Sequence, residues 1–154
     1  GEVIKGHKRQ LEEKKCLVDL NLEDSPIMNL DQKALRMVFN NLISNAIRYS
    51  PVASSLNIHL HKNAKYWEVD FKDEGFGFEK KDIKKVFRKF YRVQNEETQN
   101  IEGAGLGLFI SSEIVKNHKG RLKVSSQGRG KGSIFSVLLP VSREVEVIRQ
   151  LDER

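Results

Sequence analysis

The sequence predicts a single α+β domain. Its 154 residues match the length of one ordinary domain, and 38% of them are apolar while 31% are charged, as in a soluble globular protein. Three short runs alternate apolar and polar side chains with the period of a strand, two further short runs near the end of the chain complete the strand pattern, and two longer stretches repeat with the period of a helix. Strands and helices mixed along one chain of this length indicate an α+β fold.

The first third of the chain combines a polar start, a strand and a helix. Residues 1–15 are polar and predict a linker or a helix end that adds nothing to the core. Residues 17–23 alternate and predict a half-buried strand. Asp31 is placed to cap a long helix that ends near Tyr49, before Pro51.

The remainder predicts a hairpin, a second long helix and two further strands. Residues 56–60 and 67–71 alternate and flank a short polar turn, which is typical of a hairpin. The later elements follow in chain order: a basic helix within 79–92, a polar loop over 94–102, a glycine-rich entry to a helix ending near His118, strands at 121–126 and 133–139, and a charged tail or linker stub at 141–154.

Charge and cysteine content restrict the class of protein. The net charge is +6, and residues 79–92 carry seven Lys or Arg against two acids, so most of the excess is local and predicts a solvated helix face. No groove-reading motif accompanies it, so we expect no nucleic-acid partner. With one cysteine, Cys16, and no long apolar run, we expect a reducing, cytoplasmic setting without membrane contact.

A polar stripe on the first long helix is a candidate ligand site. At 100° per residue, Asn41, Asn45 and Arg48 share a sector of about 60°. The stripe is either a solvated face or a surface that presents two amide oxygens and a cation to a ligand. In the second case Asn45 would supply one oxygen to a Mg²⁺ ion that keeps its water and phosphate ligands.

The end of the second hairpin strand carries an inward carboxylate. Period two continues the core face of that strand to Asp73, and an inward carboxylate needs a donor partner. Gly75 and Gly77 follow, and glycine permits positive φ and a close approach of backbone to a flat ligand. A simple turn is the alternative.

Glycines also open the second long helix. Gly103, Gly105 and Gly107 precede it, and a glycine-rich helix start suits phosphate. A dinucleotide fingerprint is excluded because no apolar strand runs into this loop. On the first hairpin strand, His59 and His61 are expected to be solvent-side residues rather than a metal pair.

Together these motifs resemble the catalytic and ATP-binding domain of sensor histidine kinases. The resemblance covers about residues 17–140, and its segments are the N box at 41–49, the first G box at 73–77, the F box at 87–92, the second G box at 103–108 and a final glycine element at 130–133. It implies the two-layer α/β sandwich of the GHKL (Bergerat) type, with helices on one face of a mixed sheet.

The resemblance implies roles at the base and the metal. Asp73 would accept the adenine amino hydrogen, Tyr49 would pack on the base, and Asn45 would hold Mg²⁺. The remaining nucleotide contacts would come from Gly75, Gly77, Phe78, Tyr91, Gly103, Gly105, Leu106, Gly107 and Leu108.

It also implies roles at the phosphates. Asn41 would contact phosphate, Arg48 would neutralise its charge, and Arg92 would approach the γ-phosphate, so that Asn41 and Arg92 are the expected catalytic residues. Residues 91–104 would form a mobile lid with Leu106 and Leu108 at its base.

The implied function is half of an enzyme. Residues 16–140 would bind Mg-ATP and give the γ-phosphoryl group to a histidine on a separate dimerisation domain, leaving ADP, for relay to a response regulator receiver domain. Residues 1–15 would then end a dimerisation helix or form a linker, and the parent protein could be membrane-anchored.

Two departures and two alternatives accompany this resemblance. Lys119 stands where the family usually has glycine, and His7 lacks the sequence context of a phosphoacceptor. Relatives that hydrolyse ATP carry a glutamate at the position of Asn41, so a water-activating ATPase is not expected. The alternatives are a protein-serine kinase of the anti-sigma-factor kind and a non-catalytic nucleotide-binding module.

Overall fold

The computed structural model describes residues 1–23 and 25–141, and in it five strands form one mixed sheet. The strands are β1 (Leu17–Leu22), β2 (Ser55–Lys62), β3 (Tyr66–Asp73), β4 (Arg121–Ser125) and β5 (Ser133–Pro140). Their order across the sheet is β1-β2-β3-β5-β4, and the β1–β2 pair is parallel while the other pairs are antiparallel. The predicted α+β class with a mixed sheet is confirmed.

Two long helices cover one face of this sheet. The helices are α1 (Glu2–Gly6), α2 (Lys8–Glu13), α3 (Gln32–Arg48), α4 (Lys80–Ile83) and α5 (Gly107–Asn117). The Asp31 side chain accepts the N–H of Ala34 and caps α3 as predicted. The α3 stripe packs on inward side chains of β2, β3 and β5, so the apolar layer holds the polar stripe of α3 beside the end of β3.

The N-terminal segment contributes to the core, so the expectation that residues 1–15 add nothing to it is wrong. Leu11 of α2 is buried in the apolar cluster, with Val3 and Ile4 packed against it. The hydrophobic periodicity that would predict this packing is weak, because α1 and α2 are short and mostly charged.

Strand β1 is more exposed than its alternation predicts. Leu20 and Leu22 retain 43% and 55% of their accessible surface, while Val18 packs partly on the core. Strand β1 lies at the edge of the sheet and pairs only with β2, so the helical layer covers it poorly.

The basic helix expected within 79–92 is mostly absent. Regular helix is confined to α4, and turns follow it. Val86 is buried, Phe87 meets Phe135 edge-on, and Phe90 adopts a left-handed φ of 65° while its N–H donates to Gly105 O. These tertiary contacts outweigh the local preference for helix.

The tail expected at 141–154 lies outside the described residues apart from Val141, whose N–H donates to Lys65 O. Among the described residues, no helix combines the length and apolar character of a membrane span. At the end of α5, Lys119 takes a left-handed φ of 59°, a conformation that glycine adopts without cost.

Candidate functional site

A cavity of about 270 Å³ lies between α3, the end of β3, the start of α5 and the loop that precedes α5. Every site residue predicted from the sequence lines it except Gly75. The predicted residues in its wall are Asn41, Asn45, Arg48, Tyr49, Asp73, Gly77, Phe78, Tyr91, Arg92, Gly103, Gly105, Leu106, Gly107 and Leu108.

Asp73 is the buried carboxylate at the inner end of this cavity. Its Oδ1 accepts the N–H groups of Gly75 (2.8 Å) and Ser133 (3.1 Å), and its Oδ2 accepts the Ser133 hydroxyl (2.7 Å). Burial raises the pKa of Asp73, and the bonds from Ser133 and Gly75 oppose that rise. A carboxylate has about four acceptor positions, so three donors leave capacity for a ligand donor.

The two glycines after Asp73 serve different purposes. Gly77 takes a positive φ of 65°, as expected. Gly75 does not have a positive φ. A Cβ atom added at this position would lie 2.5 Å from Tyr49 O and 2.8 Å from Asp73 Oδ1. The close approach that requires glycine at 75 is therefore to the protein's own backbone rather than to a ligand.

The polar stripe of α3 faces the opposite wall. Asn41 Nδ2 donates to Ser111 Oγ (3.1 Å) across to α5. Arg48 donates to Asn45 Oδ1 (2.7 Å) and to Glu102 O (3.0 Å), and its guanidinium carbon lies 5.7 Å from the centre of the Tyr49 ring. The stripe therefore lines the cavity, and its cation also holds the loop.

The start of α5 is open toward the cavity. No side chain caps this helix, so its first N–H groups remain available to an anion. A Cβ at Gly103 would meet only Arg48, at 3.8 Å, which leaves free space in front of the loop. A Cβ at Gly107 would lie 2.3 Å from Asn41 Oδ1, so a larger residue there would displace the Asn41 side chain from its present position.

The loop before α5 closes the remaining side. Arg92 donates to Ile101 O within the loop, and Tyr91 donates to the buried carboxylate of Asp82. The bond to Asp82 raises the pKa of Tyr91 to about 12. Both expected phosphate-binding arginines, Arg48 and Arg92, therefore bond to carbonyl groups of residues 91–104.

Sequence reasoning missed part of the wall. The additional lining residues are Ala46, Phe76, Val86, Val93, Thr98, Ala104, Ser133 and Phe135. Ser133 is the most informative of these, because it lies opposite Asp73 in the β3–β5 register and donates twice to it. The glycine element before β5 marked this region, but the pairing with Asp73 depends on the sheet.

The cavity carries polar groups that match the base, the phosphates and the metal ion of a Mg-nucleotide. The inner end combines an acceptor with apolar walls from Phe78, Val86 and Phe135, which suits a flat base with an amino group. The outer end combines two cations with the open start of α5, which suits phosphates. Asn45 offers one amide oxygen, and Mg²⁺ accepts few protein ligands when phosphates supply the rest.

Comparison with known proteins identifies relatives of the whole domain. A family model described as "Histidine kinase-, DNA gyrase B-, and HSP90-like ATPase" matches residues 30–143. The sensor histidine kinase WalK of Bacillus subtilis is 38% identical over 129 residues, which is 82% of this chain and 21% of that protein. Sporulation kinase C of the same species is 36% identical over 121 residues, 79% of this chain and 27% of its own length.

Solved structures show the same fold. The nucleotide-free catalytic domain of histidine kinase ThkA superposes with a TM-score of 0.77 at 19% identity, covering 90% of this chain and 89% of that one. The mycobacterial sensor histidine kinase MprB superposes at 0.74 and 22% identity, covering 90% and 91%. The chain therefore covers about nine-tenths of each of these two solved chains and about a fifth of the length of WalK.

Proposed function

Because this chain belongs to the family of histidine kinase-, DNA gyrase B- and HSP90-like ATPases, we propose that it is the catalytic domain of a sensor histidine kinase. In this proposal the cavity binds Mg-ATP and the domain gives the γ-phosphoryl group to a histidine on a separate domain. One observation carries the proposal. A buried, donor-held carboxylate, Asp73, lies at one end of a cavity whose other end carries two arginines and an open helix start.

The base would occupy the inner end. Asp73 has acceptor capacity left after its bonds to Ser133 and Gly75, and an adenine amino group is a donor of matching polarity. Tyr49 and Phe78 supply flat surface on the same wall. Ser133 and Gly75 hold the carboxylate in place, so a nucleotide meets an acceptor that is already oriented.

The phosphates would occupy the outer end. Arg48 and Arg92 now donate to the carbonyls of Glu102 and Ile101, and those bonds would be exchanged for phosphate oxygens. The exchange would free residues 91–104 to move as a lid over the nucleotide. Asn41 would add an amide contact beside the start of α5.

Asn45 would hold the metal ion. Its Oδ1 accepts from Arg48, so the arginine would turn toward phosphate when the oxygen turns toward Mg²⁺. The bound ion would neutralise charge on the phosphates. ATP with Mg²⁺ is the expected ligand, and ADP remains after transfer.

The transfer step is a displacement at phosphorus. A histidine ring nitrogen attacks the γ-phosphorus, the nitrogen–phosphorus bond forms, and the bond between that phosphorus and the β–γ bridging oxygen breaks with its electron pair passing to ADP. Arg92 would stabilise charge on the transferring group. Among the described residues that line the cavity, Asp73 supplies the single carboxylate, and the proposal assigns its remaining acceptor capacity to the adenine amino group. The described wall then offers no carboxylate at the phosphates to activate water, so the cavity favours transfer over hydrolysis.

The proposed transfer requires two partner domains. We propose that residues 16–140 form the catalytic unit and that a dimerisation domain of the parent protein carries the acceptor histidine. A response regulator receiver domain is the proposed final acceptor, since ThkA has been solved in complex with the response regulator protein TrrA. Relatives of this chain are named sensor histidine kinase and histidine kinase, which disfavours the anti-sigma-type serine kinase and the non-catalytic module.

A radiolabelled ATP assay tests the proposal. We expect negligible phosphate release and no acid-labile phosphohistidine on this chain alone, and phosphohistidine when the parent's histidine-bearing hairpin is added in trans. Asn45→Ala should lower the transfer rate. Asn57→Ala is the matched control, because Asn57 bonds Asp19 on the open sheet face. Robust phosphate release by the chain alone, lost in Asn45→Ala, would identify an ATPase instead.

A further inference from the structure

Three side chains of types that can bind a metal ion lie together on the sheet face that the helices leave open. Strand β2 places His59 and His61 two residues apart, so both rings project from the same face. Strand β3 places Asp70 directly opposite His59 in the β2–β3 register. None of the three lines the nucleotide cavity.

The three side chains are close enough to share one ion. The two imidazole rings stack with their centres 4.6 Å apart, and His61 Nε2 lies 3.1 Å from Asp70 Oδ2. One ligand atom from each residue lies within 4.8 Å of the others. The side chains retain 24–31% of their accessible surface, so an ion can reach them from solvent.

Neighbouring groups orient two of these side chains. Ser136 Oγ of β5 donates to Asp70 Oδ1, and His59 Nε2 donates to Glu23 Oε1 at 2.7 Å. Partners of this kind fix the orientation of ligands in metal sites and raise their basicity. The cluster therefore has both the ligand atoms and the surrounding hydrogen bonds of a built site.

The ligand atoms of this cluster favour Zn²⁺ or a similar transition-metal ion. Imidazole nitrogens with a carboxylate oxygen suit Zn²⁺, whereas Mg²⁺ and Ca²⁺ prefer oxygen ligands. Bonds of 2.0–2.1 Å in a tetrahedron put ligand atoms about 3.3 Å apart, so the side chains need small rotations from their present separation. We propose that His59, His61 and Asp70 form a Zn²⁺ site on the open sheet face, with water as the fourth ligand.

The sequence predicted solvent-side histidines and no metal pair, because two histidines alone supply only two ligands. The third ligand becomes adjacent only when β3 pairs with β2. An ion held by both strands binds the folded chain more tightly than the unfolded one, so it stabilises the fold by mass action. Bound Zn²⁺ should therefore raise the thermal midpoint in a concentration-dependent way.

Calorimetric titration of the nucleotide-free chain with ZnCl₂ tests the proposal. We expect one equivalent bound with micromolar affinity and no comparable heat from MgCl₂. His61→Gln and Asp70→Asn should each weaken Zn²⁺ binding by roughly a hundredfold, since loss of an outer hydrogen-bond partner alone costs about 10–100-fold. Ser136→Ala should weaken Zn²⁺ binding less than these two variants, because Ser136 is a hydrogen-bond partner of Asp70 and not a metal ligand. His7→Gln is the matched control, because His7 bonds Gln10 and Asn40 away from the cluster.

A second measurement identifies the ligands without variants. Co²⁺ bound in place of Zn²⁺ should show a visible spectrum of nitrogen and oxygen ligands, with no thiolate charge-transfer band from Cys16. No Zn²⁺ binding by the unmodified chain would overturn the proposal, as would a thiolate band. Unchanged affinity in His61→Gln and Asp70→Asn would mean that the cluster is a pair of ordinary histidine–carboxylate hydrogen bonds.

Discussion

The proposed contact between Asp73 and adenine predicts a preference for one base. Guanine presents an acceptor oxygen where adenine presents its amino group, so GTP would lose a charge-assisted hydrogen bond and place two acceptors together. The cost should be roughly 2–3 kcal/mol, or about 30- to 150-fold in affinity. Calorimetry with ATP and GTP measures it.

Two aspartates of β3 allow this selectivity to be tested with a matched control. Asp73→Asn should reduce the preference for ATP, whereas Asp70→Asn should retain it, because Asp70 lies three residues away on the opposite sheet face. Equal affinities for ATP and GTP in the unmodified chain would contradict the assignment of Asp73 to the base.

Asn45 is the residue at which metal and nucleotide binding should be coupled. Its amide oxygen is the proposed Mg²⁺ ligand, so Asn45→Ala should weaken nucleotide binding more in the presence of Mg²⁺ than in its absence. Titration of a fluorescent nucleotide under both conditions measures the difference. An equal loss in both would mean that Asn45 acts only by positioning Arg48, to which it is bonded.

At the scale of the element, the turn after β3 depends on one missing side chain. A Cβ at Gly75 would overlap the backbone oxygen of Tyr49 at the end of α3, and backbone cannot move away cheaply. Gly75→Ala should lower the free energy of unfolding by about 1–3 kcal/mol. Gly6→Ala meets nothing within 4 Å and lies in α1, so it should leave the free energy of unfolding unchanged or raise it by up to about 1 kcal/mol. Urea denaturation compares the two, and similar small effects would show that the turn adapts.

The segment after α4 shows how an element can be mispredicted. Its charge and spacing indicate a basic helix, yet Val86 and Phe87 are drawn into the core and Phe90 takes a left-handed conformation against Gly105. Local propensity amounts to a few tenths of a kcal/mol per residue, whereas burial of a large apolar side chain contributes about 1.5–3 kcal/mol. Burial therefore decides this segment.

At the scale of the whole molecule, the N-terminal helices belong to the folded unit. Leu11 retains only 8% of its accessible surface, while Leu17 retains 75%. Leu11→Ala should cost about 2–5 kcal/mol of stability, and Leu17→Ala should stay within about 0.5 kcal/mol. Thermal and urea unfolding measure both, and a neutral Leu11→Ala would return residues 1–15 to the status of a linker.

The nucleotide cavity is assembled from segments far apart in sequence. Arg48 and Glu102 meet although 54 positions separate them, and Asp73 and Ser133 meet across 60. The sequence predicted Arg48 and Asp73 from local spacing, because each lies on a periodic element. It missed Ser133 because its role comes from the β3–β5 pairing.

The sequence by itself determined the α+β class, the order of the strands along the chain, the capped helix α3 and about two thirds of the cavity wall. These features depend on periodicity and on local glycine and polar motifs, which are properties of neighbouring residues. Tertiary structure alone decided that Gly75 makes room for Tyr49, that Leu11 joins the core and that Asp70 completes a cluster with His59 and His61. Those outcomes depend on strand register and on burial against distant residues, and both arise only when the sheet and the helical layer pack together.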